Sequence, residues 1–236
     1  MENNFKGISP ESVELLCINR FNDSKTFYEE HKEELKQKIT VPLRQMVLDM
    51  SGILLDIDEE MYLDPVRVVS RIHRDTRGNR SKIKYRENMW VFFRRYKKKY
   101  PSAPFYYFQF FPNSFDYGLV FWTWKASDFR VVHKLIMENQ NEFRNALKAC
   151  EQAGLVFECR DYYKKELYPS APEDLKPYLL AKNFSFTYRD INILNMNTPL
   201  LIDEMRLCFD IARPMYDFML KAYCIMLDEG LIKPEE

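Results

Sequence analysis

The sequence predicts an α+β protein, with an antiparallel or mixed sheet of about five strands packed by N- and C-terminal helices. Three observations lead there. Helix caps followed by apolar stripes of helical period occupy both ends of the chain. Runs of aromatic and β-branched residues fill the middle, and turn formers separate those runs. Helices, then a meandering sheet, then helices is the element order of that class. The 236 residues, with no repeat, low-complexity tract or linker, suit one domain over 1–236.

Ser9-Pro10-Glu11 reads as an N-cap, a proline at the first helical position and an acid in the first turn. The helix that follows should bury Val13, Leu16 and Cys17. Asn22-Asp23-Ser24 is a second cap cluster. After it Phe27, His31, Leu35 and Ile39 recur every fourth residue, and Leu43, Met46, Val47 and Met50 extend the stripe. Pro42 should kink or interrupt this long helix, because it lacks the amide its turn requires. Gly52 is the expected stop.

The acids Asp56, Asp58, Glu59 and Glu60 lack the loop glycine and twelfth-position glutamate of a calcium-binding EF-hand, so they read as a solvated loop. From Arg67 to Asp75 the chain alternates. As a strand it would set Val68, Ser70, Ile72 and Arg74 on one face and Val69, Arg71, His73 and Asp75 on the other. Residues Val68 to His73 are expected in the sheet, with the turn Gly78-Asn79 closing the segment. Residues 85–100 read as a helix with Met89, Trp90 and Phe93 inward and Lys97 to Lys99 in its last turn.

Pro101 and Pro104 bracket a loop. Phe105 to Phe111 and Leu119 to Trp124 should form a hairpin joined by the turn-rich stretch Pro112 to Gly118. Ser127-Asp128 caps a helix through Ile136 that restarts near Asn141 and runs to Gly154. Val156 to Tyr163 and Asn183 to Tyr188 each supply a further strand. Thr198-Pro199 opens a closing helix, with Leu201, Met205, Cys208, Ala212, Met215, Met219 and Tyr223 along its stripe and a kink at Pro214.

Charge localises a candidate site. Arg67 to Lys99 holds thirteen Lys or Arg against two acids, an excess of +11, so in a chain of net charge zero the rest carries −11. Such separation neutralises itself inside the fold, presents the basic segment to an anion, or does both. The apolar runs fall short of the roughly 20 residues of a membrane helix, and the first residues carry no secretory pattern. Five scattered cysteines without a Cys-x-x-Cys pair point to reduced thiols and a cytoplasmic setting. With six glycines and no Walker loop, nucleotide fingerprint, nucleophile elbow or His-Glu-x-x-His, the sequence implies no cofactor and no metal.

Within the basic segment Arg71, Arg74, Arg77, Lys82 and Tyr85 are the candidate ligand-binding residues. Guanidinium groups offer a planar fork matching phosphate or carboxylate, and lysine adds a point charge. The expected ligand is a small anion bearing a phosphate group, held at this Arg-rich strand and turn. The competing fate of strand arginines is pairing with helix carboxylates such as Asp203, Asp210 or Asp217. At least one of Arg74 and Asp75 is expected buried and paired, since an isolated buried charge is costly. His73 shares its predicted face with Asp75, which makes the two weaker candidates for acid–base catalysis; a strand histidine is more often simply packed. An alternative class is a nucleic-acid or protein interaction module using the basic helix 85–100, where Arg94, Arg95 and Lys97 to Lys99 interleave with Phe92, Phe93, Tyr96 and Tyr100. His31 and His133 have no acid or cysteine at ligand spacing.

The motif Arg71-x-x-Arg74-Asp75-x-Arg77, followed by Lys82 and Tyr85, resembles the signature of a bacterial conserved-hypothetical family, domain of unknown function 2461. Supporting matches run along nearly the whole chain: Asn22-Asp23 with Phe27, Tyr28 and Glu29, then Phe105-Tyr106-Tyr107, Gly118-Leu119, and Arg213-Pro214 with Phe218. Gly78 stands where the family pattern has Phe, and Ser81 where it has Asp or Asn beside the lysine. The resemblance implies a shared fold unit and no particular reaction.

Overall fold

The computed structural model describes residues 3–75, 77, 82–123, 125 and 127–234. Helix α1 (Pro10–Asn22) starts where Ser9 accepts a hydrogen bond from the Ser12 amide, and it ends on Asp23 in a left-handed conformation at φ 45°. Ser24 caps α2 (Lys25–Leu35) through the Phe27 amide. Lys36–Thr40 then form one π-helical turn, with the Val41 amide reaching back to the Lys36 carbonyl, before α3 (Val41–Ile57) resumes. The interruption near Pro42 thus takes the form of a π segment, which accommodates a residue with no amide to donate. Gly52 does not stop the helix. Leu54 and Ile57 lie beyond it and are buried, so packing carries α3 one more turn.

The remaining elements are β1 (Met61–Tyr62), the short α4 (Pro65–Val68), β2 (Met89–Arg95), β3 (Phe105–Phe111), β4 (Ser114–Trp122), α5 (Arg130–Glu138), α6 (Gln140–Gln152), β5 (Val156–Glu158), α7 (Lys176–Leu180), β6 (Asn183–Asp190), α8 (Leu200–Ile211) and α9 (Arg213–Asp228). Among the described residues the strands make one six-stranded sheet in the order β1-β2-β3-β4-β6-β5, antiparallel throughout. The α+β class is as the sequence predicts. The hairpin is tighter than expected: Phe111 pairs with Ser114, leaving Pro112-Asn113 as its two-residue loop. Cross-strand pairs Phe108–Tyr117 and Phe110–Phe115 fix that register, because aromatic neighbours on one face stabilise it. Gly118 is required in β4, where an added Cβ would fall 2.0 Å from the Phe186 carbonyl oxygen.

Helices α8 and α9 cover one sheet face. Tyr106 stacks on Phe209 with ring centroids 4.5 Å apart and on Tyr216 at 5.1 Å, and its hydroxyl donates to the Phe209 carbonyl. One continuous apolar core links this layer to α1, α3, α5 and α6.

Four expectations need correction. The stretch 85–100 is no helix: its core is strand β2, with Met89, Val91 and Phe93 buried and Trp90, Phe92 and Arg94 half-buried on the other side. The five-residue apolar run Met89 to Phe93 fits either period, and pairing with β3 decides for the strand. Lys97 to Lys99 lie in the turn after it. Second, Val68 ends α4, and the segment beyond joins the sheet edge only through single bridge pairs, Val69–Val91 and His73–Tyr85. Third, the strand expected over Val156 to Tyr163 stops at Glu158. Fourth, Asp58 is not part of a solvated loop but is 5% exposed. The turn at Gly78-Asn79 lies outside the described residues.

Candidate functional site

The segment carrying the basic motif is fastened from both sides. The Ser70 amide donates to the Trp90 carbonyl at 2.9 Å, and the Trp90 amide donates back to Ser70 Oγ at 2.9 Å. Further along, the Arg86 amide donates to the Ile72 carbonyl and the Arg74 amide to the Lys84 carbonyl, while Arg86 Nε donates to the Arg71 carbonyl at 3.1 Å. Asp23 Oδ1 accepts from the amides of Lys84 and Tyr85 at 2.9 and 3.1 Å, which ties the partner strand to the α1–α2 corner. Those bonds satisfy backbone groups without a regular ladder, so the segment is irregular yet fixed.

A cleft of about 260 Å³ opens between this segment and the π turn. Its cations are Arg44 of α3, Arg67 of α4 and Arg71 of the motif; Thr40, Ser70 and Tyr28 supply hydroxyl groups, and His73 stands at its edge. Thr40 and Arg44 face it together because residues four apart share a helix side. The Arg44 Nε is buried and has no hydrogen-bond partner among the described residues. Neither Arg44, Arg67 nor Arg71 makes an ion pair among those residues. Asp75, whose charge reaches Arg71, is engaged by Arg77, and the charge of Glu29 is felt by Tyr28 and His73 at the cleft edge. Burial pushes the Tyr28 phenol up, so it stays a neutral O–H.

The structure brings together only part of the predicted set. Arg71 lines the cleft. Tyr85 is buried beneath it, stacked on Tyr28 with centroids 4.9 Å apart. Arg74 is half-buried and does not line the cleft, and Lys82 is exposed. Arg77 forks onto Asp75 through Nε at 3.1 Å and Nη2 at 3.0 Å, with side chains 92% and 61% exposed. The expectation that Asp75 is buried is therefore corrected: the pair forms within two residues of the chain and stays in solvent. Arg74 likewise is not a buried, paired group among the described residues.

His73 packs its ring against Tyr28 at 4.4 Å and Tyr85 at 4.8 Å, and makes no hydrogen bond to Asp75 among the described residues. Burial pulls its pKa below the ordinary value, so the imidazole is neutral at pH 7. Arg44, Arg67 and Thr40 escaped sequence reading because their neighbours in space come from three elements. The available signal was Thr40-x-x-x-Arg44 beside Pro42, where the interrupted helix places a hydroxyl and a guanidinium on one side.

A search with family profiles matches residues 12–218 to DUF2461, conserved hypothetical protein. No curated protein and no solved structure matches the chain.

Proposed function

We propose that this chain, which belongs to the conserved hypothetical protein family DUF2461, binds a small phosphate-bearing anion in the cleft of Arg44, Arg67 and Arg71. The observation that supports it is the buried Arg44 Nε without an acceptor. A guanidinium donates through all its N–H groups, and leaving one buried and unpaired costs free energy that an anion would recover. Two further guanidinium groups and the hydroxyl groups of Thr40, Ser70 and Tyr28 surround the same space, a donor set suited to phosphate oxygens. Phosphate carries more charge and more acceptors than a carboxylate, which fits three cations with no carboxylate among them.

The alternative, a nucleic-acid or protein interaction module, drew on a helix over 85–100 that is instead β2 and a turn. A catalytic pair of His73 and Asp75 has lost its geometry too, since Asp75 holds Arg77. The family resemblance and the five free thiols favour a cytoplasmic bacterial setting. No helix among the described residues is long and apolar enough to cross a membrane.

A thermal-shift screen of inorganic phosphate, phosphomonoesters, nucleotides and dicarboxylates tests the reading. A ligand at a hundred times its Kd should stabilise the protein by about 2.7 kcal/mol. Arg71→Lys should weaken that shift although charge is kept, because an ammonium lacks the fork. No shift with any anion, or equal shifts in Arg44→Met and wild type, would sink the proposal. A filter-binding series whose affinity falls steeply with salt and follows Lys97 to Lys99 would favour the polymer instead.

A further inference from the structure

Among the residues lining the cleft, His73 alone can change its charge near neutral pH. Its backbone is fixed by the bridge pair with Tyr85, and its ring is held against the rings of Tyr28 and Tyr85. Those contacts orient the imidazole without occupying its nitrogens, neither of which makes a hydrogen bond among the described residues. The ring is thus positioned by packing and keeps both nitrogens for a ligand.

The charges around His73 set its protonation. Partial burial is the largest influence and holds its pKa below the ordinary value; on α2, Glu29 favours the imidazolium and Lys32 opposes it. The phenols of Tyr28 and Tyr85 are pushed up by burial and stay neutral. Asp23, whose charge reaches Tyr85, is taken by the Lys84 and Tyr85 amides, and Asp75 on the same segment is taken by Arg77. Arg44, Arg67 and Arg71 line the same cleft. In the empty cleft a protonated His73 adds a fourth cation to three. A bound dianion reverses the sign, because it neutralises the guanidinium charges and attracts a further cationic donor.

We infer that anion binding in this cleft, the reading proposed above on which this inference rests, is coupled to proton uptake at His73, which becomes a fourth cationic contact. By reciprocity the proton tightens the anion by the same factor as the anion tightens the proton. Affinity is then highest with His73 protonated and falls as pH rises through the pKa of the bound state. The cleft so holds its anion in mildly acidic conditions and lets it go toward alkaline ones.

Proton NMR of the imidazole Cε1–H signals, recorded on the full chain between about pH 8 and 5.5 at constant ionic strength, tests the coupling. The chain has three histidines, and His31→Gln and His133→Gln assign them. His133, held at about 4 by burial, stays neutral throughout. Saturating inorganic phosphate or sulfate should raise the His73 midpoint by at least about one unit, which is a tenfold gain in affinity on protonation. Isothermal titration of the same anion into wild type and His73→Gln cancels the ligand's own change of charge. The two should bind alike at about pH 8, and wild type at least about fivefold tighter at about pH 5.5. His73 is exposed, so His73→Gln should melt like wild type. If binding depends on Arg44 but the His73 midpoint does not move, or if His73→Gln keeps the wild-type pH profile, the coupling is wrong and the cleft reading stands. If neither anion saturates, or binding is indifferent to Arg44→Met, the cleft reading fails and takes this inference with it.

Discussion

Arg95 and Arg71 come from the same basic stretch, and the fold treats them in opposite ways. Arg95 forks onto Asp58 at 2.7 and 2.9 Å, and Asp58 also accepts from the Tyr216 hydroxyl and the Glu60 amide. Burial alone would raise the Asp58 pKa, but the Arg95 and Tyr216 hydrogen bonds outweigh it and hold the carboxyl below its ordinary range. Arg71 faces Arg44 and Arg67 across a cleft with no carboxylate paired to any of them among the described residues. One cluster is closed on itself by side chains from α3, β2 and α9. The other is left open to an acceptor the chain does not supply. A run of positive charge therefore says little about pairing; what decides is whether the fold brings an acid to it.

The largest effect should come from opening the closed cluster. Asp58→Ala leaves Arg95 and Tyr216 without their shared acceptor in a site of low exposure, which should cost roughly 3–5 kcal/mol. Chemical denaturation measures it directly. A loss well under 1 kcal/mol would mean that Arg95 finds water, and the contrast with the cleft would collapse.

A second, comparable effect separates this cluster from another buried titratable group, His133. His133 of α5 is fully buried, its Nε2–H donating to the Ala181 carbonyl at 2.8 Å, while its Nδ1 has no partner among the described residues. Burial lowers its pKa from 6.5 to about 4. The unfolded chain then binds the proton more readily, so stability is full above pH 6.5 and falls as pH drops toward 4, by about 3 kcal/mol in all. Asp58, whose folded pKa is depressed, contributes above its ordinary 3.8 and loses that contribution only below it. His133→Gln keeps a donor for Ala181 and should flatten melting temperature between pH 6.5 and 4 while leaving the steeper loss below pH 4. A wild-type melting temperature constant over that window would refute the assignment.

The sequence made most of this frame legible. Caps at Ser9 and Ser24, the β3–β4 aromatic runs and the proline breaks all fall where periodicity and turn chemistry put them. Residues 85–100 were ambiguous because Met89, Trp90 and Phe93 satisfy a helical period while Met89, Val91 and Phe93 satisfy a strand, and only the β3 partner distinguishes them. The site was half legible: Arg71 stands out in its motif, whereas Arg44 looks like any helix arginine until α3 is laid against residues 66–73. Asp58 looked solvated because its partners lie 37 and 158 residues away.

A smaller effect probes the open cluster itself. Removing Arg44 takes away a buried donor that nothing among the described residues satisfies, so Arg44→Met in anion-free buffer should leave the unfolding free energy unchanged or raise it by at most ~1–3 kcal/mol. Arg95→Met should do the reverse, since it strands the Asp58 carboxylate. The pair of opposite signs is the sharpest form of the comparison. If both variants lose stability alike, Arg44 is paired in solution and the cleft is closed.

The smallest effect is expected at Asp75, although its motif is the most conspicuous in the chain. Its carboxylate takes both the Arg77 fork and the Arg77 amide, and those hydrogen bonds hold its pKa below the ordinary range. Both side chains remain in solvent, where water replaces the pairing and salt screens it. Asp75→Ala should therefore melt within error of wild type. Its influence should fall on binding instead. Asp75 is close enough to Arg71 to share its field, so removing that negative charge, and freeing Arg77, should modestly tighten phosphate at low ionic strength. Near 1 M salt, where the Debye length shrinks to about 3 Å, the advantage should vanish. Titrating phosphate into wild type and Asp75→Ala at both salt concentrations measures it. A large drop in melting temperature would show Asp75 to be structural, as Asp58 is, and would erase the distinction between the two clusters.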